Sequence, residues 1–256
     1  MRYFLFIVIF VLLAACSSPA TPAIQSIPTE IPSQMLAPLS TSTPTNTVVP
    51  TITKIPGFED WSVVNPRAVR IQSANDSLIL TLKSGVLWFM DRRGVLVYKP
   101  VNGNFKVTAD IYTAKNSDPT QPPGGDGSVQ LGGLMARNGD GGKENYIFIV
   151  VGNDGDGLSI ETKTTLNSES EYEGPEWDSP NAELRLCRLG ETFNLYKRHI
   201  GTNETWILAK SFDRPDLPDR LQVGANIYTN SEPDLQIRYD HIAIEPISSI
   251  SNCEKD

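Results

Sequence analysis

Short runs in which apolar and polar residues alternate recur from about residue 56 to residue 246, and they constrain the fold more than any other feature. The two-residue period of a strand with one buried face is clearest at 78–82, 105–111 and 183–186. Further runs rich in β-branched and aromatic residues lie at 95–98, 129–136, 146–151, 158–165, 184–189, 192–199, 205–212, 221–228 and 235–244. Runs of this kind predict an all-β domain.

Clusters of Gly, Asn and Asp separate these runs and favour tight turns. They lie at 102–104, 138–142, 153–157 and 201–203. Many short strands joined by such turns are typical of an antiparallel sandwich or barrel. No amphipathic pattern of helical length interrupts them, and the longest stretches without a strand pattern are 113–128 and 167–181.

The N-terminal segment has the build of a secretory signal, with Arg2 followed by an unbroken apolar run from 4 to 13. The run is shorter than the roughly 20 apolar residues that a membrane span needs. It ends in Leu-Ala-Ala-Cys at 13–16, which resembles the lipobox of bacterial lipoproteins. The resemblance implies a signal peptide at 1–15 and an acylated Cys16 that anchors the protein to a bacterial membrane, facing outside the cytoplasm. An ordinary signal peptide with an incidental cysteine is the alternative.

The segment 16–55, which starts at this cysteine, is dominated by Ser, Thr and Pro. Because such a composition cannot bury enough apolar surface to offset chain entropy, we predict a disordered tether there. The composition changes at about residue 56, where aromatic, β-branched and charged residues appear together. Residues 56–246 are therefore predicted to form one domain, followed by a polar tail at 247–256.

The charge balance narrows the range of partners. The chain has 22 basic and 30 acidic residues and a formal net charge of −8. This balance argues against nucleic acid as a partner and against polybasic contact with anionic lipid. Because charge does not favour contact with anionic lipid, we expect the protein to attach to the membrane through the acylated Cys16.

The order of the strand motifs is similar to that of concanavalin A-like jelly rolls of the lectin/glucanase group, in particular the bacterial domains that stand alone or follow β-xylosidase catalytic domains. The matching pieces are Ser-Leu-Ile-Leu-Thr at 77–81, Leu-Trp-Phe at 87–89, the strand at 103–111, Gly-Gly-Leu-Met-Ala-Arg at 132–137, Asn-Tyr-Ile at 145–147, the run at 184–193, Leu-Gln-Val-Gly at 221–224 and Tyr-Asp-His-Ile at 239–242. The resemblance implies a two-sheet sandwich of twelve or more strands. It implies little about function, because this fold hosts lectins, hydrolases and structural modules.

Two cysteines remain beyond the predicted anchor, Cys187 in a strand-like run and Cys253 in the polar tail. Outside the cytoplasm a disulfide between them can persist, and two free thiols are the alternative. The two histidines, His199 and His241, lie far apart, and no Cys/His spacing typical of zinc is present.

Glu171, Glu173 and Glu176 have the E-x-D-x-x-E spacing that glucanases of this fold use for a nucleophile and an acid. Gly174 and Pro175 interrupt the run, and proline is excluded from central strands. We therefore predict a solvated acidic loop, with a catalytic carboxylate pair as the alternative.

Two patterns bear on calcium. The Asn-Asp-Gly-Asp-Gly run at 153–157 is rich in oxygen ligands, but Thr164 stands where an EF-hand loop needs a glutamate, so a hairpin turn is predicted. The resemblance to concanavalin A-like domains implies a structural calcium between the first and last strands. Its ligands would be Asp240 with Glu59 or Asp60, although many relatives have two aspartates at the first strand.

Sugar binding uses exposed aromatic faces beside polar groups. Trp177 and Tyr172 lie in the acidic stretch, where no core alternation accounts for Trp177, and Glu176 and Asp178 are beside them. We predict that Trp177 and Tyr172 form a ligand rim; the alternative is that Trp177 folds back over a sheet edge. The remaining aromatic candidates, interpreted mostly as core, are Trp88, Tyr112, Trp206 and Tyr228.

Arg137 and Asn138 are a second pair of candidate ligand-binding residues. They follow the Gly-Leu-Met-Ala pattern that ends a predicted strand. In a jelly roll, a residue at this point can face the concave side of the sheet, and a surface arginine is the alternative.

Taken together, these patterns predict a lipid-anchored extracytoplasmic protein that presents a non-catalytic β-sandwich binding carbohydrate or another ligand. One alternative is a glycoside hydrolase of the same fold that uses the acidic-loop carboxylates. Another is a structural or adhesion module that binds protein. No Ser/His/Asp arrangement or phosphate-binding glycine loop adds a further class.

Overall fold

A computed structural model describes residues 55–255, except residues 75, 125 and 126. The predicted signal peptide, the acylated Cys16 and the tether up to residue 54 lie outside the described residues. Within the described part, no helix is long and apolar enough to cross a membrane.

The described chain is built almost entirely from strands, as the alternation predicted. The strands are β1 (Ser62–Val64), β2 (Val69–Ala74), β3 (Ser77–Leu82), β4 (Val95–Asn102), β5 (Phe105–Ala114), β6 (Gln130–Arg137), β7 (Tyr146–Asn153), β8 (Leu158–Leu166), β9 (Glu169–Glu173), β10 (Asn181–Leu189), β11 (Thr192–Arg198), β12 (Ile207–Asp213), β13 (Arg220–Thr229) and β14 (Gln236–Pro246). A 3₁₀ turn at Pro66–Ala68 and a short helix α1 at Ser251–Glu254 complete the regular structure.

The strands form two seven-stranded antiparallel sheets, which confirms the two-sheet antiparallel sandwich. The front sheet has the order β1-β4-β13-β6-β7-β8-β9, and the back sheet has the order β12-β11-β10-β5-β14-β3-β2. Neighbouring strands such as β6 and β13 are far apart in sequence, so long connections cross between the sheets as in a jelly roll.

The main core lies between the two sheets and follows from the two-residue period. In β5, every second residue from Phe105 is buried. Val107 from the back sheet and Ile149 from the front sheet belong to the same apolar cluster. Aligned packing of two sheets in this way encloses one core between their inner faces.

The outer face of the front sheet carries a second apolar cluster. Its members are Trp88, Leu96, Leu131, Met135, Tyr146, Phe148, Val150 and Tyr228. The segment 83–94 between β3 and β4, here called the covering segment, places Trp88 on this face with none of its side chain exposed. The centre of the front sheet is therefore buried on both faces.

Gly94 permits the close approach of the covering segment. A Cβ atom at this position would lie 2.4 Å from the Trp88 ring. The Trp88 indole also donates a hydrogen bond to the carbonyl oxygen of Val95, at 3.2 Å. The ring is therefore fixed against the backbone that leads into β4.

Strand β9 lies inside the stretch 167–181, where the sequence pattern predicted irregular structure. It follows a tight turn in which Asn167 and Ser168 have positive φ angles of 51° and 69°, a conformation that suits hairpins. The strand pairs with β8 at the edge of the front sheet. Because most of β9 is exposed, it has no buried face and hence no alternation that could have predicted it.

A disulfide joins Cys187 on β10 to Cys253 in α1, with Cα atoms 6.2 Å apart. Both cysteines are fully buried. Arg185 donates hydrogen bonds to the carbonyl oxygens of Cys253 and Lys255, at 2.7 and 2.9 Å. The segment predicted as a polar tail is thus attached to the outer face of the back sheet.

Removing this bond is expected to destabilise the domain strongly. The double variant Cys187→Ser, Cys253→Ser should lose about 4 kcal/mol of unfolding free energy, because the bond closes a loop of roughly 66 residues in the unfolded chain. Guanidinium denaturation of the variant and of the oxidised wild type measures the difference. Reduced wild type should match the variant, and equal stability of the variant and the oxidised protein would refute the expectation.

Candidate functional site

A cleft of about 300 Å³ opens on the outer face of the front sheet, beside the covering segment. It lies where β8 and β9 meet the turn that joins β7 to β8. Its lining residues are Leu87, Trp88, Phe89, Val129, Asp154, Asp156, Glu161, Lys163, Tyr172, Gly174, Tyr228 and Asn230. This mixture of aromatic rings and a few charged groups is typical of small-ligand sites.

The alternation of β8 sets the floor of the cleft. Ile160 points into the main core between the sheets. Its neighbours Ser159 and Glu161, together with Lys163 two positions further on, therefore face the outer side. Glu161 and Lys163 are 5% and 4% exposed, so two opposite charges are buried side by side in the cleft floor.

Lys163 is held by both charge and aromatic rings. Its Nζ lies 2.9 Å from a Glu161 carboxylate oxygen and donates a hydrogen bond to the carbonyl oxygen of Trp88, at 3.2 Å. Burial lowers the pKa of the Lys163 ammonium, and the Glu161 carboxylate opposes this by raising it. The hydrogen bond to the Trp88 carbonyl oxygen connects β8 with the covering segment.

Four aromatic rings surround the Lys163 ammonium. The distances from Nζ to the ring centroids are 4.9 Å for Phe148 and Tyr172, 5.4 Å for Phe89 and 5.6 Å for Tyr228. Cation–π attraction acts over such distances. The cleft therefore contains an ammonium group of the chain itself, enclosed by rings.

Tyr228 on β13 completes the floor. Its hydroxyl donates a hydrogen bond to Glu161, at 3.0 Å. Burial raises the pKa of the Tyr228 phenol well above its ordinary value, and the Glu161 charge raises it further. The phenol thus remains protonated and acts as a fixed hydrogen-bond donor.

The rim of the cleft is formed by Tyr172 on β9 and Phe89 in the covering segment. Their rings meet edge to face, with centroids 6.4 Å apart. Tyr172 is 59% exposed, which makes it one of the most exposed large side chains of the described domain. The structure thus places Tyr172, a predicted rim residue, at the mouth of this cleft.

A second and larger cleft, of about 650 Å³, continues from the first and is here called the acidic groove. Its lining residues are Asp154, Asp156, Gly157, Leu158, Gly174, Glu176, Trp177 and Asp178. Asp154, Asp156 and Gly174 line both clefts. In the predicted hairpin turn at 153–157, Asp154 Oδ1 accepts hydrogen bonds from the backbone N–H groups of Asp156 and Gly157.

Trp177 is packed into the domain. It is 9% exposed and belongs to the main core cluster. Its indole donates to the carbonyl oxygen of Asn181, at 3.1 Å, and its ring stacks on His199 with centroids 4.4 Å apart. Of the two interpretations from sequence, this position corresponds to a ring folded over a sheet edge. Trp177 and Tyr172 line different clefts.

The predicted ligand-binding residue Arg137 is committed to a buried ion pair. It donates two hydrogen bonds to Glu144, at 2.7 and 2.8 Å, and one to Gln222. Burial by itself would raise the pKa of Glu144, but Arg137 and Arg93 outweigh it and hold that pKa below its ordinary value. The side chain of Asn138 accepts a backbone hydrogen bond within its own turn. Neither Arg137 nor Asn138 lines either of the two clefts.

The three predicted carboxylates of the acidic stretch are exposed. Glu171 and Glu173 lie on β9, and Glu173 forms an ion pair with Lys210. Glu176 follows Pro175 and lines the acidic groove. A general acid of a retaining glycosidase needs burial to remain protonated, and none of the three has it.

Two of the three residues predicted to hold calcium have other partners. Glu59 accepts a hydrogen bond from the backbone of Gly57 and Asp240 forms an ion pair with Arg238, at 3.1 Å, while Asp60 is exposed. Across the part of the chain that the structure describes, no three His, Cys, Asp or Glu side chains form a group that could hold a metal ion.

Sequence reasoning missed Glu161, Lys163 and Phe89. In the sequence, Glu161 and Lys163 have the spacing of residues on the exposed face of an ordinary strand. The alternation cannot show that the covering segment lies over this face of the front sheet. Phe89 lies in the Leu-Trp-Phe motif at 87–89, which indicates the fold but not a site. A pair of opposite charges at two-residue spacing, inside an otherwise uncharged strand, was the available signal.

No protein-family model and no curated protein matches the chain. Among solved structures, a protein of unknown function from Saccharomyces cerevisiae matches at 13% identity and a TM-score of 0.62, over 75% of this chain and 99% of the other. A xylan β-1,4-xylosidase from Bacillus halodurans matches at 14% identity and a TM-score of 0.51, over 69% of this chain and 38% of the enzyme.

A Bacteroides ovatus protein described as Xyloglucan PUL GH43B matches at 13% identity and a TM-score of 0.50, over 73% of this chain and 37% of the other. At such identities the likeness establishes the fold alone. The class defined by the fold is that of two-sheet antiparallel β-sandwiches, as the resemblance of the motifs implied.

His199, which stacks on Trp177, is expected to have a pKa above the ordinary value for histidine. His199 ring nitrogens lie 2.9 Å from Asp178 and from Glu204, and these two hydrogen bonds raise the pKa of His199 above 6.5. NMR titration of the ring should therefore give a midpoint above 6.5 in the wild type and a lower midpoint in Asp178→Asn.

The same shift predicts a pH dependence of stability. Because the folded-state pKa is raised, the contribution of His199 is fully present below the unfolded pKa and is lost as pH rises through the folded pKa. Denaturation midpoints measured across this window should fall more in the wild type than in His199→Gln. Identical profiles for both proteins would show that the imidazolium adds no stability.

Proposed function

We propose that this protein binds carbohydrate without catalysis in the cleft beneath Tyr172, and that Cys16 anchors it to a bacterial membrane, facing outside the cytoplasm. The observation that carries the proposal is an exposed aromatic face above a floor of fixed polar groups. Sugars pack their C–H faces on rings while their hydroxyls need directed partners. Tyr172, Glu161 and Tyr228 supply these two kinds of contact within one cleft.

The rigidity of the floor supports recognition. The Glu161 carboxylate is fixed by Lys163 and by the Tyr228 hydroxyl. The Glu161, Lys163 and Tyr228 side chains are held in place before any ligand arrives, which reduces the entropy lost on binding. A floor of this kind selects ligands by the positions of their hydrogen-bonding groups.

The same contacts argue against hydrolysis. Glycoside cleavage uses two carboxyl groups on either side of the scissile bond, one of which must deliver a proton. Glu161 is already occupied by an ammonium and a phenol. Asp156 and Glu176 are exposed, and Asp154 holds its own turn. Binding is therefore the function that these groups support best.

The fold neighbours bear on the class of ligand. One of them is described as a xylan β-1,4-xylosidase and another by the word xyloglucan. Sandwiches of this fold thus occur in proteins whose descriptions refer to xylan and xyloglucan. This agrees with a glycan as ligand and leaves its identity to experiment.

The cleft is tested by replacing Tyr172. Binding of the full chain, purified in detergent, to an array of neutral and charged glycans identifies a ligand, and titration calorimetry then gives its affinity. Tyr172→Ala should weaken binding at least about tenfold, because it removes the central aromatic contact. Tyr172→Phe should retain most of the affinity.

Tyr112→Ala is the matched control, since Tyr112 packs against Arg238 on the back sheet. Its affinity should equal that of the wild type. An array without any bound glycan would refute carbohydrate binding and favour a protein partner. Unchanged affinity in Tyr172→Ala would show that the binding site lies elsewhere on the protein.

The anchor is tested separately. In bacterial cells that produce the full chain, the wild type should sediment with membranes, and Cys16→Ser should be released from them, because stable attachment requires the acyl chains. Mass spectrometry of the N-terminal peptide measures the modification. An unmodified cysteine on a processed wild-type chain would contradict the proposed anchor.

A further inference from the structure

We infer that the ligand of this cleft carries protonated amino groups, and is a glycan whose sugars bear free primary amines. The inference rests on the proposed glycan binding and specifies the substrate class. Three features of the described residues support it: unpaired carboxylates, a buried hydroxyl without a partner, and aromatic rings that already hold an ammonium.

The first feature is the charge of the acidic groove. Among the described residues, no Lys, Arg or His forms an ion pair with Asp154, Asp156 or Glu176. The only basic residue that lines either cleft, Lys163, is neutralised by Glu161. Glycans rich in carboxylates or sulfates would meet repulsion along this surface, whereas ammonium groups would be attracted.

The second feature is a polar group buried without a partner beside these carboxylates. The Ser159 hydroxyl is 1% exposed and has no hydrogen-bond partner. It lies 3.8 Å from the place that a Cβ on Gly174 would occupy, and Asp154 Oδ2 lies 3.3 Å from the same point. Gly174 lines both clefts, so its missing side chain leaves a small polar recess between them. A buried hydroxyl without a partner is costly, and the recess beside it therefore favours a polar ligand group over an apolar one.

The third feature is the aromatic environment. Four rings and one carboxylate already hold the Lys163 ammonium at the cleft floor. Tyr172 belongs to this set and is 59% exposed. Its outer face thus offers cation–π attraction to a second ammonium that approaches from solvent. Asp154 and Asp156 line the same cleft.

The test compares two tetrasaccharides of the same skeleton, one of glucosamine with free amines and one of N-acetylglucosamine. Calorimetry uses the full chain in detergent at weakly acidic pH, where the amines are protonated. The glucosamine tetrasaccharide should bind at least about tenfold more tightly, the factor expected for one charge-assisted contact. Raising the salt concentration should reduce the difference, because screening weakens partly exposed charge pairs.

Variants locate the effect on the groove. Asp154→Asn combined with Asp156→Asn should reduce the affinity for the amine about tenfold or more. Glu171→Gln is the matched control, since it removes one exposed charge from β9 and lines neither cleft. Its affinity should stay within about twofold of the wild type, as expected of a screened surface charge. Circular dichroism confirms that each variant is folded.

The outcomes separate this inference from the proposed function. Equal affinity for both tetrasaccharides would overturn the preference for amines and leave glycan binding in place. Binding of a neutral array glycan without any binding of the glucosamine tetrasaccharide would do the same. If no glycan binds at all, both proposals fail.

Discussion

Burial of the front sheet on both of its faces is the constraint on which the site depends. A sheet in a sandwich normally leaves its outer face to solvent, but here Trp88 and the rings of β7 form a second apolar layer over it. The covering segment is not separate from the recognition surface. Its Trp88 carbonyl accepts the hydrogen bond of Lys163 and its Phe89 contacts Tyr172. The cleft lies between this segment and the turn that joins β7 to β8.

Two buried pairs of opposite charge support the recognition surface. Arg137 and Glu144 neutralise one another beneath the covering segment, and Glu161 and Lys163 do so beside it. Removing one partner of such a pair leaves an uncompensated charge, so both members are held in place by a large penalty. The recognition surface thus combines a rigid neutral floor with carboxylates that, among the described residues, form no ion pair: Asp154, Asp156 and Glu176.

Much of the sandwich could be predicted because its strands bury one face. The alternation along β5 and β10 is a direct consequence of that burial. Strand β9 could not be predicted, because both of its faces are largely exposed and its sequence therefore does not alternate. Its pairing with β8 is visible only in the folded structure. The sequence could not decide between a Cys187–Cys253 disulfide and two free thiols. Spacing alone does not determine whether the fold brings two cysteines together.

The candidate site was less accessible to sequence reasoning. Trp177 stood out as an aromatic residue in an acidic stretch, but its contacts with His199 and Asn181 are made only in the folded chain. Lys163, Phe89 and Tyr228 come from three distant parts of the sequence. Local patterns do not show that they enclose one cleft, because that enclosure is produced by the order of strands in the front sheet.

The position of Trp88 on the front sheet depends on the lack of a side chain at Gly94. Its own backbone conformation is not restricted to glycine, since its φ is not in the left-handed region. What excludes other residues is the Trp88 ring, which occupies the space of a side chain at this position. Adding one methyl group there would force the indole to move from its place on the front sheet. The short cleft described above thus depends on the absence of a single carbon atom.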